Sequence, residues 1–396
     1  MPIAQWSAAR PPLWLAAGAL ASAWAALYTT LRWVIPFVLD PVHDDVRLSY
    51  AAAQAGLRDG WSTIYDAAVS TSAPGAAPVD AFIKYDSTPF LAWLFAPLTA
   101  FPEPVAYAAW TALSFAALLL AWHIAAPYDG LRKLTLLLLA IGLWPALLVF
   151  YFGQPTMIVV ALVCAAWWFL RKDQVLSAGV ALAVATFLKP QAVLLLPLAL
   201  LVSGRYRVVV SWIAIGGLLA IATAFALGVS GIAGWLRVLI EVHGQAKNTE
   251  YTLVGLLGTG VLTYALWALQ ALTAMVIARR NRADLEIVFA SGLLGTAATA
   301  SYFHAADSIM LVPVGWFVLR TATPLWHRLW LLAGVAPIQM IALGITAPLL
   351  VWMAAWLAIL AFPFPRRNRA SASESESPRR SPHAEIPGPN AELLKR

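Results

Sequence analysis

The 396-residue sequence predicts an all-α, polytopic membrane protein, a bundle of about 12 transmembrane helices whose external first loop carries short interfacial helices. Three observations carry that prediction. Hydrophobic residues make up 61% of the chain and charged residues 11%, against roughly 25% charged in a soluble domain, which excludes a soluble globular protein. Uncharged runs at 134–170, 208–236, 251–278 and 329–365 each exceed the roughly 20 apolar residues a helix needs to cross a bilayer. They lack the strict alternation of a transmembrane barrel. Lys and Arg gather between the apolar segments, at Arg132 and Lys133, Arg171 and Lys172, Arg205 and Arg207, Arg279 to Arg282, Arg320 and Arg328, and Arg366 to Arg369. With these clusters, Arg10 and the tail in the cytoplasm, 19 of the 26 Lys and Arg are inside, the bias that orients membrane helices.

The first span, near 12–39, follows Arg10 and contains Ala21, Ala23 and Ala25, as a signal peptide would, but its apolar length to Leu39 predicts a retained helix. An external loop over 40–103 comes next. Its stretch from Asp40 to Ser87 holds Asp40, Asp44, Asp45, Asp59, Asp66, Asp80 and Asp86, so an active site has material there. The apolar segment 88–102 is short and bounded by prolines, which predicts a re-entrant or interfacial helix. Further spans are expected near 104–126, 134–151, 155–170, 174–188, 190–203, 207–228, 252–278, 284–302, 306–320, 327–343 and 346–363. The polar breaks YFGQP (151–155) and LKPQ (188–191) fall between short spans, and broken helices at membrane depth persist only when packed in protein or lining a wet cavity. A second external loop over 229–250 brings Trp235, Arg237, Glu241, His243, Lys247 and Glu250, and SYFHAAD (301–307) forms a third polar cluster. The membrane domain is thus 1–365; residues 366–396, rich in Ser, Pro, Glu and Arg, read as a disordered cytoplasmic tail.

Several function classes drop out. Cys164 is the single cysteine, so neither an intrachain disulfide nor a cysteine metal cluster is available. The net charge of +7 is spread over short loops and the tail, which points to topology and away from nucleic acid. His43, Asp44 and Asp45 form one acidic cluster without a second set of ligands, so no metal is expected.

Ionisable residues at helix ends near the membrane default to functional candidates, and Asp45, Lys189, His304 and Asp307 all fall on the external side. Lys189, between Leu188 and Pro190, needs an anionic partner or else snorkels to the headgroups. His304 and Asp307 are three apart, the spacing of one helix face. The aspartate there could hold the imidazole tautomer. Gln154 either caps a helix or bonds a sugar or Lys189. Most of the 19 tryptophans suit interfacial belts; Trp61 and Trp235 are also placed to stack on sugars.

Five blocks occur in order: DDVRLSYAAAQAGLRDGWSTIYD (44–66), FIKYDSTPFLAWLFAPLTAFPEPVAYAAW (82–110), GQPTMIVVAL (153–162), FLKPQAVLLLPLAL (187–200) and SYFHAADSIMLVP (301–313). With them the chain resembles glycosyltransferase family 87, polytopic transferases of the GT-C class that use polyprenyl-phosphate-linked sugars such as polyprenyl-phosphate mannose. It departs from the family pattern at Thr156, where Asn is common after Gly-Gln, and at Tyr85-Asp86-Ser87-Thr88-Pro89, a stretched form of Tyr-Pro-Pro. The resemblance implies a GT-C-type bundle in a bacterial inner membrane, with the site on the external or periplasmic face and both termini cytoplasmic. It implies transfer of a sugar, mannose first, from polyprenyl phosphate to a lipid or glycan acceptor with inversion. Asp45 would be the general base, with Asp44 the runner-up; Lys189 and His304 would meet the donor phosphate; Gln154, Asp307 and Tyr85 would meet sugar or acceptor. The expected partners are the lipid-linked donor, the acceptor and membrane lipids, with no separate cofactor and no metal. A transporter or flippase of lipid-linked sugars is the alternative, since broken helices and buried charges serve transport equally. It would need polar residues along a crossing path, whereas here they gather at one end.

Overall fold

Chain breakers in an otherwise apolar sequence decide where each helix starts and stops. A computed structural model gives the outcome for residues 11–39, 44–66, 84–243 and 245–362. The expected tail 366–396 lies outside the described residues, as do Asp40, His43 and Asp80 and the side chains of Asp44, His243 and Lys247. Among the described residues the regular structure is entirely helical. The first half contains α1 (Leu13–Leu39), α2 (Asp44–Asp59), α3 (Pro89–Phe95), α4 (Glu103–Ala125), α5 (Gly130–Gly142), α6 (Trp144–Phe152), α7 (Thr156–Arg171), α8 (Val175–Leu188) and α9 (Leu196–Val202). The second contains α10 (Tyr206–His243), α11 (Ala246–Thr249), α12 (Leu253–Leu257), α13 (Val261–Arg280), α14 (Leu285–Ala298), α15 (Leu311–Arg320), α16 (Leu325–Ala333), α17 (Val335–Met340) and α18 (Ala347–Ala361).

Four helices, α1, α4, α10 and α13, are long and apolar enough to cross a membrane, and α5 with α6, bent by 61°, makes a fifth if the pair is one span. The chain is therefore a polytopic membrane protein. Seven other expected spans fold as shorter or broken helices. The 190–203 segment is a 3-10 turn at Pro190–Ala192 followed by α9, whose 7 residues extend roughly 10 Å at 1.5 Å per residue, far less than a bilayer of about 30 Å. Pro190 is the cause: it drives the preceding residue out of the helical region, and Lys189 stands at φ −154°, ψ 80°. The segment 88–102 is short and helical, as its prolines predict, with α3 continued by a 3-10 turn at Ala96–Ala100.

The expected second loop needs correction. Residues 229–243 are helical, the second stretch of α10, set off from the first only at Gly228 (φ 60°, ψ −175°), a conformation that glycine adopts at little cost. The apolar content and lack of proline beyond Gly228 let the helix resume, and small residues let it pack. A β-carbon on Gly231 would come within 3.0 Å of the Ser62 backbone, and one on Gly234 within 3.3 Å of Tyr65 Cβ. The first loop and this helix thereby share an apolar cluster that includes Leu48, Ala52, Ile64, Tyr65, Tyr85, Leu227, Val238 and Val242.

Breaking a helix in apolar surroundings strands backbone groups, and other helices supply the missing partners. At the bend between α5 and α6, Gln339 of α17 serves both sides: its Nε2 donates to Gly142 O (2.9 Å) and its Oε1 accepts from Trp144 N (2.7 Å). Thr296 of α14 similarly accepts from Leu195 N at 2.9 Å, ahead of α9. Opposite these breaks, the Arg-rich connections are tied together. Arg171 pairs with Glu286 (3.3 Å), Arg320 donates to Ala125 O (3.1 Å), and both guanidinium groups lie over the Trp167 ring. Replacing Gln339 by Leu should destabilise the fold by about 1–3 kcal/mol, because the Trp144 N–H loses its acceptor and Gly142 O keeps only the 3.3 Å bond from Thr29 Oγ1. A lowered thermal midpoint in detergent would register it, and unchanged melting would show that the bend holds without the glutamine.

Candidate active site

The polar residues sit where the helices break. Gly153 ends α6 in the left-handed region (φ 74°), and α4 holds the loosened end: Tyr107 OH donates to Phe150 O (2.6 Å) and Trp110 Nε1 to Gly153 O (2.7 Å). A β-carbon at Gly153 would overlap Val46 Cγ2. Only glycine therefore lets α2, with Asp45 beside Val46, lie against the break that presents Gln154. The second break puts Lys189 between α8 and Pro190, and the third puts His304 at the head of a 3-10 turn, Ala305–Met310, that leads into α15.

These breaks enclose a cavity of about 870 Å³. Four of the seven residues assigned site roles by the resemblance line it: Asp45, Gln154, Lys189 and His304. They come from four separate stretches of chain.

Lys189 is only 6% exposed, so it turns inward and does not snorkel. An ammonium has three N–H donors and no acceptor. Here each has a partner: Gln154 Oε1 (2.7 Å), Thr156 Oγ1 (2.9 Å) and the Asp307 carboxylate, with which it forms an ion pair. Asp307 is 0% exposed. Its Oδ1 faces Lys189 and its Oδ2 accepts from the His304 backbone N–H at 2.9 Å. The expectation that Asp307 meets sugar or holds the imidazole tautomer is therefore corrected, because the carboxylate is spent on the lysine and the turn and does not line the cavity.

Asn248, which sequence reasoning passed over, holds the His304 ring. Its Nδ2 donates to Val242 O (2.7 Å), which leaves Oδ1 as the acceptor facing His304 Nε2 at 2.8 Å. His304 Nε2 must then carry hydrogen. The Asn248 carbonyl also accepts from Phe303 N (3.2 Å). One asparagine in a polar loop gives no sequence signal; only the packing of α11 on the 301–304 turn reveals it.

Tyr85 is not at the cavity. Its ring is buried against Tyr65, with centroids 5.6 Å apart, and its hydroxyl donates to Thr88 O at 2.7 Å. Its neighbours do line the cavity: Lys84, Asp86, Ser87 and Thr88 form a strap along one wall. Lys84 Nζ pairs with Glu241 at 2.7 Å, and Tyr302 OH donates to Asp86 Oδ2 at 3.0 Å. Burial pushes the Tyr302 phenol well above its ordinary range, and the charges of Asp86, Asp307 and Asp45 push the same way. Its hydroxyl is a permanent donor at neutral pH. Of the tryptophans, Trp235 lines the cavity, stacked on Tyr65 at 6.2 Å, while Trp61 packs edge-on against Trp93. Among the described residues no cluster of three His, Cys, Asp or Glu is placed to hold a metal.

The buried pair dictates a stability test. Lys189→Met or Asp307→Leu alone strands a buried charge and should cost about 3–5 kcal/mol, whereas the double substitution removes both charges and should cost much less than the sum. Thermal melts of the three variants would measure the coupling, and strictly additive losses would mean the two charges do not interact.

The comparisons now bear on this geometry. A family model described as glycosyltransferase family 87 matches residues 87–301, which include the strap from Ser87 and the Gly153-Gln154 and Lys189-Pro190 breaks. No curated protein and no solved structure matches the chain. The match covers more than half of the 396 residues, and the chain belongs to glycosyltransferase family 87.

Proposed function

We propose that this glycosyltransferase moves a sugar, mannose in the first instance, from polyprenyl phosphate to a lipid or glycan acceptor on the external face of a bacterial inner membrane. One observation carries the reading: Asp45, Gln154, Lys189 and His304, drawn from four chain segments, share one cavity. A lipid-linked donor also needs an apolar wall. Trp144, Leu148 and Phe152 line the cavity from α6 at every fourth position, which is a single helix stripe, and Leu194 and Ile341 add to it. The positive-inside bias supports an orientation with the Arg-rich connections and both termini in the cytoplasm and the cavity at the external end. The remaining expected spans complete a GT-C-type bundle of about 12 crossings, several of them short and broken, in the manner of helices that line a cavity.

In the proposed step Asp45 takes the proton of the acceptor hydroxyl, general-base chemistry suited to a positioned carboxylate, with Asp44 as runner-up. The hydroxyl oxygen bonds to the anomeric carbon as the bond from that carbon to the phosphate oxygen breaks, which inverts the configuration. Polyprenyl phosphate leaves with the bonding electron pair. Lys189 meets it by exchanging a neutral partner, Gln154 or Thr156, for a phosphate oxygen while keeping Asp307. The amide of Gln191, which also lines the cavity, and the His304 Nε2–H, turned from Asn248 Oδ1 to the anion, complete the phosphate's contacts, and Gln154, once released, can turn to the sugar. No metal or separate cofactor enters the step.

The test is transfer of label from radiolabelled polyprenyl-phosphate mannose into membrane lipid extract by the purified protein. Asp45→Asn should lower transfer by at least about 100-fold while the protein still purifies folded, and Asp44→Asn should retain most of it. Full activity in Asp45→Asn would remove Asp45 as the base.

A further inference from the structure

The geometry points to Asp86 as the residue that anchors the hydroxyls of the donor's sugar, held in place by Tyr302, and so as a determinant of which sugar is accepted. The inference rests on the lipid-linked donor proposed above. It follows from a count of hydrogen-bonding capacity. Asp307 is closed to substrate, with one oxygen on Lys189 and the other on the His304 backbone. Glu241 has both oxygens within 2.8 Å of Lys84 Nζ. Asp45 is reserved for the proton. Asp86 is different: among the described residues its one hydrogen-bond partner is Tyr302, at Oδ2, and its side chain lines the cavity. Oδ1 is left to accept from a ligand. An ionised carboxylate only accepts, which complements the neighbouring hydroxyls of a hexose.

Position supports the same assignment. The strap that carries Asp86 is pinned on both sides: Lys84 to Glu241, the Ser87 carbonyl to Tyr65 OH (2.8 Å), and Thr88 Oγ1 to the Phe187 carbonyl. Phe187 lies two residues before Lys189, and Tyr302 two before His304, so the strap is fixed to the breaks that present both phosphate-facing residues. Tyr302, bonded to Asp86 through its hydroxyl, lines the same cavity as Asp45, Lys189 and His304. Asp86 thus shares one cavity with the base and with the groups that meet the phosphate. The transferred sugar must lie in that cavity, within reach of both.

Tyr302 is a positioning residue. Its hydroxyl stays protonated, fixes Oδ2 and orients the carboxylate plane, and it need not touch the sugar.

The experiment measures binding of two lipids, polyprenyl-phosphate mannose and bare polyprenyl phosphate, to the full-length protein, its Asp86→Asn variant and its Tyr302→Phe variant. Asn keeps the shape of Asp and can still accept from Tyr302, but it replaces one acceptor oxygen with a donor. Asp86→Asn should bind the bare lipid as wild type does and the mannosyl lipid roughly tenfold more weakly, the effect of losing hydrogen bonds to a charged group. Tyr302→Phe should show the same selective loss at about threefold, and it carries the test if Asp86→Asn does not fold. Equal binding of both lipids by wild type and Asp86→Asn would overturn the assignment and leave the donor reading standing, and so would an equal loss for both lipids. A wild-type protein that binds neither lipid would overturn the donor reading, and the role of Asp86 with it.

Discussion

A single buried ion pair sets the conditions for the rest of the site. Taking an ammonium and a carboxylate out of water costs several kcal/mol each, even after relaxation, and the geometry around Lys189 and Asp307 answers that cost bond by bond. Lys189 has one anionic and two neutral partners, and Asp307 has one cationic partner and one backbone donor. The four side chains come from three breaks: Gln154 and Thr156 from the α6–α7 junction, Lys189 from the α8 terminus, Asp307 from the turn before α15. The pair therefore couples three broken helices at one point, and none of them can shift without uncovering a charge.

Around that point the helix breaks are built in one way. A residue that ends a helix is followed by a side chain from elsewhere that takes up the freed backbone group: Trp110 at Gly153, Thr296 at Leu195, Gln339 at the α5–α6 bend. Such borrowed partners are obligatory where no water reaches, and they explain why short helices are stable here. Glycine supplies the other half. At Gly153 the positive φ and the contact with Val46 both require the absence of a β-carbon, so the turn that exposes Gln154 is also the seat for the helix that bears Asp45.

Much of this was legible in the sequence. Low charge and long apolar runs gave the membrane class, and Gly-Gln-Pro, Lys-Pro and His-x-x-Asp marked the breaks and their candidate residues. What could not be read were pairings over long separations. The sequence context of Lys189 calls for an anion, but nothing in the chain records that residues 118 apart meet, so Asp307 as its partner is legible only in the structure. Asn248 and Tyr302 were invisible for the same reason, since each acts through one long-range bond. Gly228 and the polar residues beyond it read as a loop over 229–250, while the apolar face that carries the helix on to 243 becomes evident only against Ser62 and Tyr65. Tyr85, which the resemblance assigns to sugar or acceptor, packs its ring behind the strap instead, against Tyr65.

The charge balance of the cavity favours a particular kind of donor. Lys84 and Lys189, the lysines that line it, are each matched by a carboxylate, Glu241 and Asp307, and Asp45 and Asp86 add negative charge. A nucleotide sugar brings a diphosphate and ordinarily needs a cation to neutralise it. A polyprenyl phosphosugar brings a diester with one negative charge, and a second appears only as the glycosidic bond breaks. Lys189 suits that sequence of events: in the resting site it holds two neutral partners, and exchanging one for a phosphate oxygen gains most when the leaving group's charge has grown. Interactions stronger in the transition state than in the ground state are the ones that raise a rate. In the proposed step Asp45 accepts a proton and so loses the charge that the phosphate gains, and the cavity as a whole keeps its net charge through the reaction.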